Sequence, residues 1–112
     1  MSVLYSISLP DPAKARGSDP RLSFTASGAE AFAEQLQAAL RTTELFDRWK
    51  SVQDEPDDVD PSLAATDPKA TVTGQQADLR INLQATTSLP GDVFKQRLRL
   101  LAGNHWELRD VR

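Results

Sequence analysis

His105 is the chain's one histidine, and therefore the first place to look for acid–base or metal chemistry near neutral pH. One imidazole in a chain without cysteine gives no ligand spacing of the zinc kind. A Ser-His-Asp arrangement would have to use the same histidine, and nothing around it in sequence orients it. A structural or solvated imidazole is the expectation. The chain has no GxSxG turn, phosphate-cradling glycine loop or dinucleotide fingerprint. No catalytic residue, metal or cofactor is assigned on this basis.

Acidic residues make the strongest local cluster. Five of the seven residues from Asp54 to Asp60 are acidic, with Asp54, Asp57, Asp58 and Asp60 the aspartates. The run lacks the alternating oxygen spacing, central glycine and distal glutamate of an EF-hand loop. A solvated loop is expected, and its alternative role is a docking strip for a basic partner.

Leu45 and Trp49 are the second group. They fall well off the apolar stripe of the helix that precedes them. If that helix runs on unbroken to Lys50, they form an exposed patch of the kind that anchors protein interfaces. If it breaks near Thr42-Thr43, they turn inward. The paired β-branched residues favour the break.

The elements that must position these groups follow from periodicity. Val3, Tyr5, Ile7 and Leu9 alternate with Leu4, Ser6 and Ser8, giving a strand over 3–9 that Pro10 ends. The proline-rich 10–20 segment is a polar loop, and Leu22 and Phe24 suggest an extra short strand over 21–25. Ser27 and Glu30 have capping-box spacing. Phe32, Leu36, Ala39, Leu40, Thr43 and Phe46 then recur along one helical stripe.

The 51–70 stretch is a second long polar loop, in which Asp60-Pro61 can cap one helical turn. Thr71–Thr73 is a short strand, 74–77 a turn, and Leu79, Ile81, Leu83 and Ala85 the apolar face of a strand over 78–86. A helix follows over 89–102, with Phe94, Leu98 and Leu101 inside and Lys95, Arg97 and Arg99 outside. A last strand over 105–111 points Trp106 and Leu108 into the core.

The order βαββαβ predicts an α+β fold of the ferredoxin-like split kind: an antiparallel sheet, central first and third strands, and two helices on one face. The other face is then polar and open, and carries Arg80, Asn82, Gln84, His105 and Arg109. The same topology sends the 10–26 segment to one end of the sheet and the 51–70 loop to the other.

Composition bounds what such a domain does. At 112 residues with 39% hydrophobic and 26% charged side chains, residues 1–112 make a single globular domain. Residues 1–77 carry net charge −5 and residues 78–112 carry +2, which argues against nucleic-acid binding, since that needs a dominant positive face. The aromatics Tyr5 and Trp106 alternate onto the apolar face, away from any base-stacking role. No apolar run approaches a membrane span, and the N-terminus lacks a secretory pattern, so the cytoplasm is the default setting.

The leading expectation is a small non-enzymatic protein–protein interaction or adaptor module that binds a protein partner, with a homodimer allowed. A cofactor-free enzyme of the dimeric α+β-barrel type is the alternative, with His105 or Tyr5 as acid/base. A third is a secretion chaperone or toxin-neutralising protein that uses the acidic loop.

Overall fold

The alternating residues at the N-terminus form strand β1 (Val3–Leu9) in the computed structural model, which describes residues 2–112. β1 pairs antiparallel with β3 (Arg80–Thr87), setting Tyr5 against Ala85, Ile7 against Leu83 and Leu9 against Ile81. Opposed residues of such a pair share a face, so these six side chains make one apolar surface, and all are buried. β2 (Thr71–Ala77) joins the far side of β3, and β4 (Glu107–Val111) the far side of β1. The sheet order is β2-β3-β1-β4 and every pairing is antiparallel. The fold is α+β with β1 and β3 central, an order compatible with the ferredoxin-like expectation.

Two helices cover one face of the sheet, and a third packs beside them. α1 (Ala29–Arg41) buries Phe32, Leu36, Ala39 and Leu40 and lies across β2 and β3. α3 (Gly91–Ala102) stacks Phe94 on Tyr5 of β1, with ring centroids 4.2 Å apart. The third is α2 (Glu44–Ser51), because the long helix does break at Thr42-Thr43. Thr42 is extended at φ −129° and ψ 165°, and its hydroxyl donates to the Ala38 carbonyl oxygen. Past the break, Leu45 and Phe46 turn inward, while Thr43, expected on the stripe, is exposed. Among the described residues, no helix is long and apolar enough to cross a membrane.

Several local expectations are corrected. Residues 21–25 form no strand. Leu22 and Phe24 are buried, but the Phe24 amide donates to the Leu101 carbonyl at the end of α3. The capping box is absent: Gly28 is the N-cap, and Gln35 Oε1 accepts from the Thr25 and Ala26 amides just before the helix. β2 continues through 74–77, so the hairpin turn is Asp78-Leu79, with Asp78 at φ +56° and Leu79 at the exposed tip. A polar edge strand shows no apolar alternation, and it is pairing with β3 that reveals it.

β4 begins at Glu107, which leaves His105 in the preceding loop, off the sheet face, with its amide donating to Ala102. Arg80, Asn82 and Gln84 do stand exposed on the open face of β3. Arg109 is the extra residue of a bulge in β4, since Leu108 opposes Ile7 whereas Asp110 opposes Ser6.

Candidate functional site

Because α2 follows a sharp break, it lies back against the irregular segment around Leu22 instead of continuing away from it. Two adjoining open clefts result, sharing Leu22 as a common wall. The smaller, about 180 Å³, lies between Ser23, Thr25 and Gln35 on one side and Glu44, Leu45 and Arg48 on the other. The larger, about 330 Å³, is lined by Asp19, Arg21, Trp49, Val52, Gln53 and Leu100, among others. Segments 18–22 and 52–53 thus meet at one cleft, although their loops were expected at opposite ends of the sheet. The short α2 that follows the break brings 49–53 to this cleft.

This geometry separates the two candidate anchors. Leu45 is 4% exposed and floors the smaller cleft, so it is a core residue and not an exposed anchor. Trp49 is half-buried, packs on Phe46 at 5.7 Å between ring centroids, and lines the larger cleft. Val52 beside it is exposed. Across the cleft, Arg21 grips Asp19 with two hydrogen bonds of 3.1 and 2.9 Å, and this guanidinium holds the Asp19 carboxyl below its ordinary pKa.

The acidic strip starts immediately after Gln53. Asp54, Asp57, Asp58 and Asp60 are all exposed, on a backbone braced by 3₁₀ turns at Pro56–Asp58 and Pro61–Ala64. Asp60 caps the second turn as its spacing suggested, accepting from the Ser62 amide at 2.9 Å, and that bond lowers its pKa. The other acids of the strip project without an ion pair to any basic side chain among the described residues.

Two charged residues that were not expected to matter organise the interior behind the clefts. Arg97, assigned to the outside of its helix, is fully buried. Its Nη1 donates to the Ala39 carbonyl oxygen, and its Nη2 to those of Leu63 and Ala65, each at 2.7 Å. Ala39 belongs to the last turn of α1, where carbonyls lack helical donors and the dipole favours a cation. Burial lowers the Arg97 pKa, but guanidinium starts so high that it remains charged.

Asp67 serves the neighbouring carbonyl, donating its own amide to Leu40 at 2.8 Å. Its carboxylate accepts from the Ser88 amide, the Thr87 hydroxyl and the Lys69 amide. Together these clamp the 61–70 segment between α1, α3 and the end of β3.

Those bonds stabilise the charged form of Asp67, led by the Ser88 amide, and hold its pKa below the ordinary carboxylate value. The contribution to stability is therefore complete above the unfolded carboxylate pKa of about 3.9 and is lost as pH falls through the folded value. Asp67→Asn is expected to lower the melting temperature at pH 7 by several degrees. The gap to wild type should narrow as pH is taken down through 4 to 2, as followed by circular dichroism. A gap independent of pH would show that the carboxylate charge is not what holds this junction.

Neither acid/base candidate lines either of these two clefts. His105 is exposed in the loop before β4. Tyr5 is buried under α3 against Phe94. Among the described residues, no group of three or more His, Asp or Glu side chains is placed to hold a metal ion.

Comparison with protein-family models, with curated proteins and with solved structures gives no match for this chain. The cleft and the strip beside it are thus described by their own chemistry. Helical periodicity pointed to Trp49, and the acidic run itself to the aspartates. Both missed Asp19, Arg21, Val52 and Leu100, which come from three separate segments and meet only through the fold.

Proposed function

We propose that the chain is a small non-enzymatic protein–protein interaction module, and that it receives a basic, amphipathic segment of a partner protein in the α2 cleft. The observation that carries this reading is the adjacency of Trp49 and Val52, an apolar anchor surface, to the exposed acids that begin at Asp54. Aromatic side chains at a partly buried site supply most of the affinity of many interfaces. Exposed carboxylates beside them select a basic partner and speed its approach more than they tighten the complex. A secretion chaperone or toxin-neutralising protein is one setting for such a surface, and an adaptor is another.

The test uses the full chain carrying Trp106→Phe, which leaves Trp49 as the only indole, and a short lysine/leucine peptide as probe. A saturable blue shift of Trp49 emission is expected. Affinity should fall steeply with added salt, because exposed charges are screened beyond ~8–10 Å at physiological ionic strength. Changing Asp54, Asp57 and Asp58 together to asparagine should weaken binding about tenfold or more. No saturable shift, or binding indifferent both to salt and to the asparagine changes, would overturn the reading.

A further inference from the structure

The two edges of the sheet are finished differently. On β2, side chains of α1 occupy the outer edge: the Val72 amide donates to Gln37 Oε1 at 3.0 Å, and Arg41 Nε donates to the Ala70 carbonyl just before the strand. Among the described residues, nothing comparable covers β4. Its backbone direction follows from one bond, the Arg112 amide donating to the Leu4 carbonyl of β1. Amide directions alternate along a strand. Leu4, Ser6 and Ser8 therefore turn their backbone groups toward β4. Leu108, opposite Ile7, turns its own outward. Val111 also faces outward, and its amide is held by the Asp110 side chain at 2.9 Å and not by a strand.

The bulge at Arg109 has a second effect. Residues 108 and 111 are three apart and would ordinarily point to opposite faces. With one extra residue between them, Leu108 opposes Ile7 and Val111 opposes Tyr5, so both lie on the helix-covered face. The helices do not reach them: Leu108 is 37% and Val111 49% exposed. Glu107 and Asp110 share the open face with Ser8 and Ser6.

We propose that β4 is a self-recognition edge, on which a second copy of this chain docks antiparallel to join two four-stranded sheets into one. A two-fold axis normal to the sheet, passing between Arg109 and Asp110, keeps each face on its own side. In that register Leu108 meets the partner's Val111 on the apolar face. Glu107 meets the partner's Arg112, and Arg109 meets the partner's Asp110. The outward backbone groups of Leu108 and Val111 are the ones such a pairing needs.

Every charge at the edge has its opposite across the axis. In the single chain the same four groups make exposed pairs, Arg109 with Glu107 at 3.0 Å and Arg112 with Asp110 at 2.6 Å. A bulge and a charged edge ordinarily repel stray strands. Here they reject any strand except one with the same pattern running the other way. The α2 cleft takes no part, so this inference stands apart from the function proposed above.

Sedimentation velocity of the full chain at low salt, from micromolar to about 500 μM, tests it. A reversible dimer is expected at the upper concentrations. Arg112→Glu alone, and Glu107→Arg alone, each set like charges across the axis and should raise the dissociation constant about tenfold. The double variant E107R/R112E swaps the charges and should recover dimerisation to within about threefold of wild type. Leu108→Pro removes an outward amide that β1 does not use, and should give a folded monomer. A wild-type monomer throughout the range, a double variant no better than the singles, or a Leu108→Pro dimer of wild-type strength would each overturn the proposal.

Discussion

Replacing Arg97 by alanine is expected to cost about 3–5 kcal/mol, a large share of the roughly 5–15 kcal/mol that holds a domain of this size. The side chain is fully buried, and three carbonyl oxygens on two separate segments accept from its guanidinium. Truncation leaves those oxygens without a donor in a place water does not readily fill, and adds a cavity. At about 4 °C per kcal/mol for a chain of this length, the melting temperature should fall by roughly 15 °C.

Arg97→Met separates the two contributions. Methionine fills much of the space but donates nothing, so it should recover the cavity part and leave most of the loss. Arg97→Lys should recover little, since one ammonium on a flexible stem does not reproduce the planar fork that spans Ala39, Leu63 and Ala65. Urea unfolding of the three variants checks the order Arg, Met, Lys, Ala. If methionine matched wild type, packing and not hydrogen bonding would hold the 61–65 segment in place.

The signal for Arg97 was present in the spacing. Phe94, Arg97, Leu98 and Leu101 stand at i, i+3, i+4 and i+7, a complete helical stripe. Charge alone sent Arg97 to the outside. What the stripe could not show is the buried end of α1, whose unpaired carbonyls make a cation welcome there. The same physics explains the two long loops. The 10–26 segment donates the Phe24 amide and the Ser23 hydroxyl to Leu101 at the end of α3, and the 56–70 segment donates the Asp67 amide to Leu40 at the end of α1. Loop length suggested function, but much of each loop is spent closing a helix.

Strands with clean alternation, β1 and β3, were legible because large apolar side chains on one face alternate with mostly polar ones on the other. β2 was not, because TVTGQQA carries one large apolar side chain and takes its register from β3. The candidate site was legible residue by residue only where a residue broke a pattern, as Trp49 did. That Trp49 shares a cleft with Asp19 and Leu100 depends on where α2 packs after the break, a tertiary fact with no local signature beyond Thr42-Thr43.

Gly74→Ala should be the second damaging change, although it adds one methyl group to an edge strand. Gly74 opposes Leu83 on the helix-covered face of the sheet, directly beneath the first turn of α1. A Cβ there would overlap the Ala29 carbonyl oxygen, with the Ala29 carbonyl carbon at 3.0 Å and Leu83 Cδ2 at 3.1 Å. Two of these three atoms are helix backbone, which cannot swing aside as a side-chain tip does. The helix must lift from the sheet, and overpacking of this kind costs about 1–3 kcal/mol. The same substitution at Gly91 should have the opposite sign. That residue opens α3, and a Cβ would meet only the Tyr5 hydroxyl at 3.4 Å, an ordinary contact. Alanine there restricts the unfolded chain and is expected to stabilise by about 0.4–1 kcal/mol. Thermal unfolding of both variants beside wild type reads the two signs directly. A Gly74→Ala protein as stable as wild type would mean that α1 does not rest at this distance on β2, and the helical cover of that half of the sheet would have to be placed anew.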